Sequence, residues 1–91
     1  MKWSDIEKEF NTIDMRCTEL AERKNHDYGN AWESYRKTTM MDLILGHAKR
    51  MVNLSILGEE KALVPDKIND ELLDIINWCR FILIKMELGM E

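Results

Sequence analysis

The chain has 91 residues, enough for one small domain over residues 1–91 and one modest core. A formal net charge of −4 and a pI near 5.2 exclude the basic surface that tracking a long nucleic acid requires. No stretch is apolar and long enough to suggest a membrane span: Leu72 to Leu83, the most apolar, is broken by Asp74, Asn77 and Arg80.

Lys2 is followed by no apolar run, so no secretory leader is expected and the cytoplasm is the expected compartment. Cys17 and Cys79 both lie in apolar helical patterns, which predicts buried reduced thiols.

Ser4 and Glu7 stand at capping-box spacing and predict the start of a first helix. Ile6, Phe10, Ile13, Cys17 and Leu20 recur in steps of four and three and so share one face. This helix is expected to fade near Lys24, where Arg23 and Lys24 suit the negative end of the dipole.

The stretch Lys24 to Tyr35 has no helical or strand periodicity and gathers His26, Asp27, Tyr28, Gly29, Asn30, Trp32 and Tyr35. It is expected to be an irregular aromatic-rich loop, with a short helical segment between Ala31 and Arg36. Chemically rich loops between regular elements are common sites of binding, although aromatics there can equally fill a core.

Thr39 and Asp42 signal the start of a second helix, running from about Met40 to Leu57 and closed by Gly58. Its apolar residues cover most of its circumference, which predicts burial on more than one side and a homo-oligomer. His47, Lys49, Arg50 and Asn53 add a polar group, and an Arg50 guanidinium suits anionic oxygens. Pro65-Asp66 is expected to open a third helix that reaches Leu88 and stops at Gly89. Ile68, Leu72, Ile75, Ile76, Cys79, Leu83 and Met86 form its expected core stripe. The fold class is therefore all-α, a small bundle of three main helices.

On the third helix Asp70, Glu71, Asp74 and Asn77 share an arc of about 120°. Asp70 and Glu71 fit an acidic first turn. Asp74 and Asn77 lie among Leu and Ile, where polar groups need partners. Glu71-x-x-Asp74 also has the spacing of half a Mg²⁺ site in all-α nucleoside triphosphate pyrophosphohydrolases. The other half would come from Glu19-x-x-Glu22, far upstream.

Tyr28, Trp32 and Tyr35 offer faces for a base to stack on. His26, Asp27 and Asn30 offer polar edges, and Gly29 offers backbone room. With Arg50, Asn53, Glu71, Asp74 and Asn77 these residues define the expected nucleotide site.

Lys24-x-x-Asp27-Tyr28-Gly29-x-x-Trp32, Thr39-x-x-Asp42 leading to Lys49-Arg50, and Glu71 leading to Ile76-Asn77-Trp78 resemble the nucleotide modification associated domain family of bacteriophages and some bacteria. The resemblance covers about Arg23 to Leu88 and implies an all-α domain tied to nucleotides, often viral and so in a host cytoplasm.

Three functions are open at this point. One is a cofactor-free homo-oligomer that binds and sequesters a nucleotide, such as a cyclic dinucleotide defence signal. The second is a Mg²⁺-dependent nucleotide pyrophosphohydrolase, with Glu71 and Asp74 on the metal and Glu22 or Asp27 completing the set. The third is an inhibitor acting through protein interaction.

Overall fold

The computed structural model describes residues 1–65 and 67–91. Three helices make up the chain: α1 (Trp3–Tyr28), α2 (Lys37–Leu57) and α3 (Ile68–Glu87). Single 3₁₀ turns at Ala31–Ser34 and Glu59–Lys61 join them. No strand occurs among the described residues, as the sequence pattern predicts. No helix is long and apolar enough to cross a membrane among those residues.

The helix ends differ in detail from expectation. Lys2 precedes α1, and Ser4 lies inside its first turn and makes no cap bond. At its other end α1 does not fade at Lys24 but continues to Tyr28. Gly29 closes it in the left-handed conformation (φ 59°), its N–H donating to the Asn25 carbonyl. Asn30 follows at φ 60°, a conformation that Asn tolerates better than most residues. The irregular segment is therefore only residues 29–36, and Lys24 to Tyr28 present their side chains from a helix. A polar composition hid that last turn, because nothing apolar marked its period.

Helix α2 starts at Lys37, a turn before Thr39, and ends at Gly58 as expected. Helix α3 starts at Ile68, with Lys67 preceding it; Asp66, half of the expected start signal, lies outside the described residues. The Lys67 N–H donates to Asp70 Oδ2 at 3.0 Å, so the capping acid is Asp70.

Helices α2 and α3 pack against each other along most of their length, while α1 meets α3 over a shorter stretch. Polar cross-links fix that second contact. Asn77 Nδ2 donates to the Cys17 carbonyl at 3.0 Å. Arg80 donates to Asn77 Oδ1 at 3.2 Å and to Thr18 Oγ1 at 2.8 Å, and Arg16 to Asn69 Oδ1 at 2.9 Å.

Most of the α3 stripe expected to form the core faces the other way, with Ile68 and Ile75 half-buried. Leu72, Ile76, Cys79, Leu83 and Met86 are exposed, and the inward face carries Glu71, Asn77, Ile82 and Lys85. Of the two cysteines only Cys17 is buried. Cys17, Met40 and Ile82 are the buried apolar residues among those described. Such a thin core goes with an open shape. The Cα radius of gyration is 14.9 Å, against about 12 Å for a compact chain of this length.

Lys85 is 1% exposed. Its ammonium donates to the carbonyls of Glu33 at 2.9 Å and Glu91 at 3.2 Å, and stands 5.9 Å from the Trp32 ring centre. Buried ammonium groups need such partners. This one clamps the 3₁₀ turn of residues 31–34 onto the end of α3.

Candidate functional site

A cavity of about 300 Å³ lies where the end of α1, the 31–34 turn, α2 and α3 meet. Its aromatic walls are Tyr28, Trp32, Tyr35, Trp78 and Phe81. Trp32 stacks on Phe81 with ring centres 4.9 Å apart, and Trp78 leans on both Phe81 and Tyr35 at 5.9 Å. The chain of rings spans residues 32, 35, 78 and 81, so the connecting turn is held in place by α3. The polar part of the wall is Lys24, Asn25, His47, Asp74 and Asn77.

Helix geometry explains the gathering. On α3, residues 74, 77, 78 and 81 are three and four apart and project from one side. On α1, Ala21, Lys24, Asn25 and Tyr28 do the same. Extension of α1 through Tyr28 is thus what brings Lys24 to Asp74, where the ammonium donates to Oδ1.

Behind this wall lies a buried network. Glu71 is 2% exposed; its Oε2 lies 2.6 Å from His47 Nδ1, and its Oε1 accepts from Arg50 Nε at 3.1 Å. Burial by itself pushes the Glu71 carboxyl up. The hydrogen bonds from His47 and Arg50, with the Arg50 charge, outweigh it and hold the group below its ordinary value of 4.5. An ionised carboxylate only accepts, which places the His47 proton on Nδ1, a tautomer assigned from its partner. Arg50 Nη2, 2.7 Å from the same nitrogen, then meets no lone pair there, and the Arg50 bond that counts is the one to Glu71. Asp74 Oδ2 stands 3.9 Å from His47 Nδ1. One ligand atom each from His47, Glu71 and Asp74 lie within 4.8 Å of one another.

Of the residues picked out in the sequence, Tyr28, Trp32, Tyr35, Asp74 and Asn77 line the cavity together. Glu71 stands behind His47, and Arg50 reaches Glu71 from the solvent side. Asn53 lies on the same side as Arg50, over a separate shallow hollow that also meets Leu57 and Val64. His26 and Asp27 pair with each other at 3.1 Å on the exposed side of α1. Glu19 and Glu22 share that side, away from Glu71 and Asp74. Gly29 ends the helix and does not line the cavity.

Eight lining residues escaped assignment to the site, Asn25 among them. Lys24, His47 and Trp78 were visible as parts of motifs, and Phe81 carried no signal other than its seven-residue spacing from Asp74. That spacing, two helical turns along one side, was the available clue.

One buried polar atom of this wall has no partner among the described residues. Asn25 Nδ2 donates to Asn30 Oδ1 at 2.6 Å, while Asn25 Oδ1 is shielded from solvent and accepts no hydrogen bond.

No curated protein and no solved structure matches the chain. A family profile described as nucleotide modification associated domain 1 does, over residues 24–86, a span that starts at Lys24 and takes in every cavity-lining residue except Ala21. The chain belongs to the nucleotide modification associated domain 1 family.

Proposed function

We propose that this domain binds a nucleotide by its base in the aromatic cavity and holds it without converting it. The observation that carries this reading is the cavity itself: five aromatic rings around one hollow, with Lys24, Asn25, His47, Asp74 and Asn77 on one side. Aromatic faces stack on any base, and a few polar groups set orientation. Family membership agrees with a nucleotide-related role.

Two features favour binding over conversion. Glu71 is engaged by His47 and Arg50, and Asp74 by Lys24, so each carboxylate already has a cationic or N–H partner. Glu22 and Asp27, expected to complete a Mg²⁺ cage, project from another side of α1.

A hollow of about 300 Å³ is at the small end for ligand sites and suits one base with its sugar. A two-base signal such as a cyclic dinucleotide would then engage two copies of the chain. The exposed Leu72, Ile76, Leu83 and Met86 on α3 and Leu45, Val52 and Ile56 on α2 give a homo-oligomer apolar surface to bury. A small oligomer of this kind would act by sequestering its nucleotide, in the phage setting the family resemblance suggests.

A second reading, a metal-dependent nucleotide hydrolase, is favoured by the convergence of His47, Glu71 and Asp74 within 4.8 Å. A dication there would displace the His47 proton and be held by two carboxylates and an imidazole. The test is a nucleotide panel incubated with the protein with and without Mg²⁺ or Mn²⁺, then separated by chromatography. Intact nucleotide recovered from heat-released complex is expected; metal-dependent release of pyrophosphate or phosphate overturns the binding reading in favour of the hydrolase.

A further inference from the structure

Two helices each carry an apolar seam that the described residues leave open. On α1, Trp3, Ile6, Phe10 and Ile13 follow in steps of three and four, and all but the half-buried Ile6 are exposed. On α3, Leu72, Ile76, Cys79, Leu83 and Met86 follow in steps of four and three, and all are exposed. A narrow stripe with those steps is the spacing of a coiled-coil seam, and what covers such a seam is another helix. The exposed stripe of α2 is shorter: it keeps the repeat from Met41 to Val52 and is interrupted at Ser55.

Surface area says how much is left to cover. The accessible surface of the chain is 7046 Å². A compact monomer of 10.8 kDa exposes about 5,500 Å². The excess, about 1,500 Å², is close to twice the ~800 Å² that each partner gives to a standard protein interface. A chain that gives one helical arm and receives another covers two such patches.

Charge decides between the possible pairings. The arm seam is flanked by Glu7, Glu9 and Asp14, with Lys2 as its one cation. Two arms side by side in parallel set Glu9 against Asp14. An antiparallel pair that aligns all four apolar residues sets Glu7 and Glu9 each against its own counterpart. The α3 seam has apolar Leu73, Ile75 and Ile82 on its flanks, with Arg80 and Glu87 as the only charges there, and so opposes the arm with no row of acids.

We propose that the α1 arm, Trp3 to Ile13, lies along the exposed α3 seam of a second copy of this chain, each copy giving one arm and receiving one. The contact rests on the homo-oligomer reading above and adds to it which surfaces meet; it does not depend on nucleotide binding. Helix α1 runs unbroken from this arm to Lys24 and Tyr28 in the cavity wall, so the contact ties the assembly to the site.

Cys79 stands in the α3 seam and serves as the probe. Trp3→Cys, Ile6→Cys, Phe10→Cys and Ile13→Cys are made singly, mildly oxidised, separated on a non-reducing denaturing gel and mapped by mass spectrometry. At least one is expected to give a covalent dimer joining the new thiol to Cys79 of the other copy, since a disulfide forms only between closely apposed positions. Phe10→Asp and Leu83→Asp, both at exposed positions, are each expected to weaken association about tenfold or more by light scattering, with helicity retained. Dimers of the wild type linked through two Cys79 residues, or of the variants linked through two arm positions, overturn the contact and leave the oligomer standing. An assembly with no arm-to-Cys79 link, or one unmoved by both aspartates, does the same. A wild-type mass of one chain overturns the oligomer and the contact together.

Discussion

The two halves of α1 carry the same apolar period and meet different fates. From Cys17 to Tyr28 the helix is tied to α3 by Asn77 on the Cys17 carbonyl, by Arg80 on Thr18 and by Lys24 on Asp74. From Trp3 to Ile13 no side chain hydrogen-bonds outside α1 among the described residues. Trp3 and Phe10 there lean on each other at 5.7 Å and are exposed, at 64% and 59%. An apolar stripe therefore tells that a helix has a face to bury, while polar cross-links decide which length of it lies against its own chain. A three-turn helical arm with no polar tie to the rest of the chain is marginal in water. Under the homo-oligomer proposed above, the exposed stretch is where a second copy would have most to contribute.

Several substitutions sharpen or break this contrast. Met40→Ala, at a fully buried position, is expected to have the largest effect, lowering stability by about 2–5 kcal/mol in chemical denaturation. For a small domain that is a large fraction of the total. A change under ~1 kcal/mol would show that Met40 is not part of the working core. Trp32→Ala is expected next: it removes a wall of the cavity and the stacking partner of Phe81, so nucleotide binding should weaken by about 1–3 kcal/mol with helicity retained. Arg50→Ala is the control, since Arg50 lies off the cavity. It should act on stability through Glu71 more than on affinity, and a loss of binding equal to that of Trp32→Ala would relocate the site.

Asn77→Leu cuts the tie between α3 and the Cys17 carbonyl and is expected to cost about 1–3 kcal/mol. Phe10→Ala at the exposed arm should change the stability of an isolated chain by no more than about 0.5 kcal/mol. Phe10→Asp should nevertheless shift the mass seen by light scattering, if the arm meets a second copy. An arm variant that destabilises the monomer as much as Asn77→Leu would erase the distinction between the two halves.

The smallest effect is expected from acid. The folded-state Glu71 carboxyl lies below its ordinary value of 4.5, so its contribution is complete above that value and is lost as pH falls through the lowered one. The stability difference between wild type and Glu71→Gln should be constant near neutrality and shrink below about pH 4.5. A difference that grows in acid contradicts the network drawn at His47 and Arg50.

Much of the fold was legible in the sequence. Helical periodicity and the positions of Gly58 and Gly89 marked three helices and two of their ends. Asp74 and Asn77 stood out as polar groups unsuited to a solvated face, and both are partnered against α1. What the sequence did not disclose was orientation. Leu72, Ile76, Leu83 and Met86 repeat with better periodicity than Glu71, Asn77 and Lys85, yet the polar set faces inward. Each inward group has a partner distant in sequence, His47 and Arg50 for Glu71, Cys17 for Asn77, Glu33 for Lys85. Periodicity is local and cannot see such partners. For the same reason the sequence placed His26 and Asp27 beside Tyr28 in a loop, when one more helical turn carries them to another side from Lys24 and Tyr28.

Buried Lys85 has a practical consequence for following the cavity in solution. Its ammonium is enclosed and holds the backbone at Glu33, so an amine-acylating reagent should label the exposed lysines quickly and leave Lys85 unmodified while the 31–34 turn is docked. The rate at which Lys85 does become labelled then reports how often that turn lifts away from α3. A nucleotide seated against Trp32 would slow it, so one peptide in a mass spectrum could time the opening of the site.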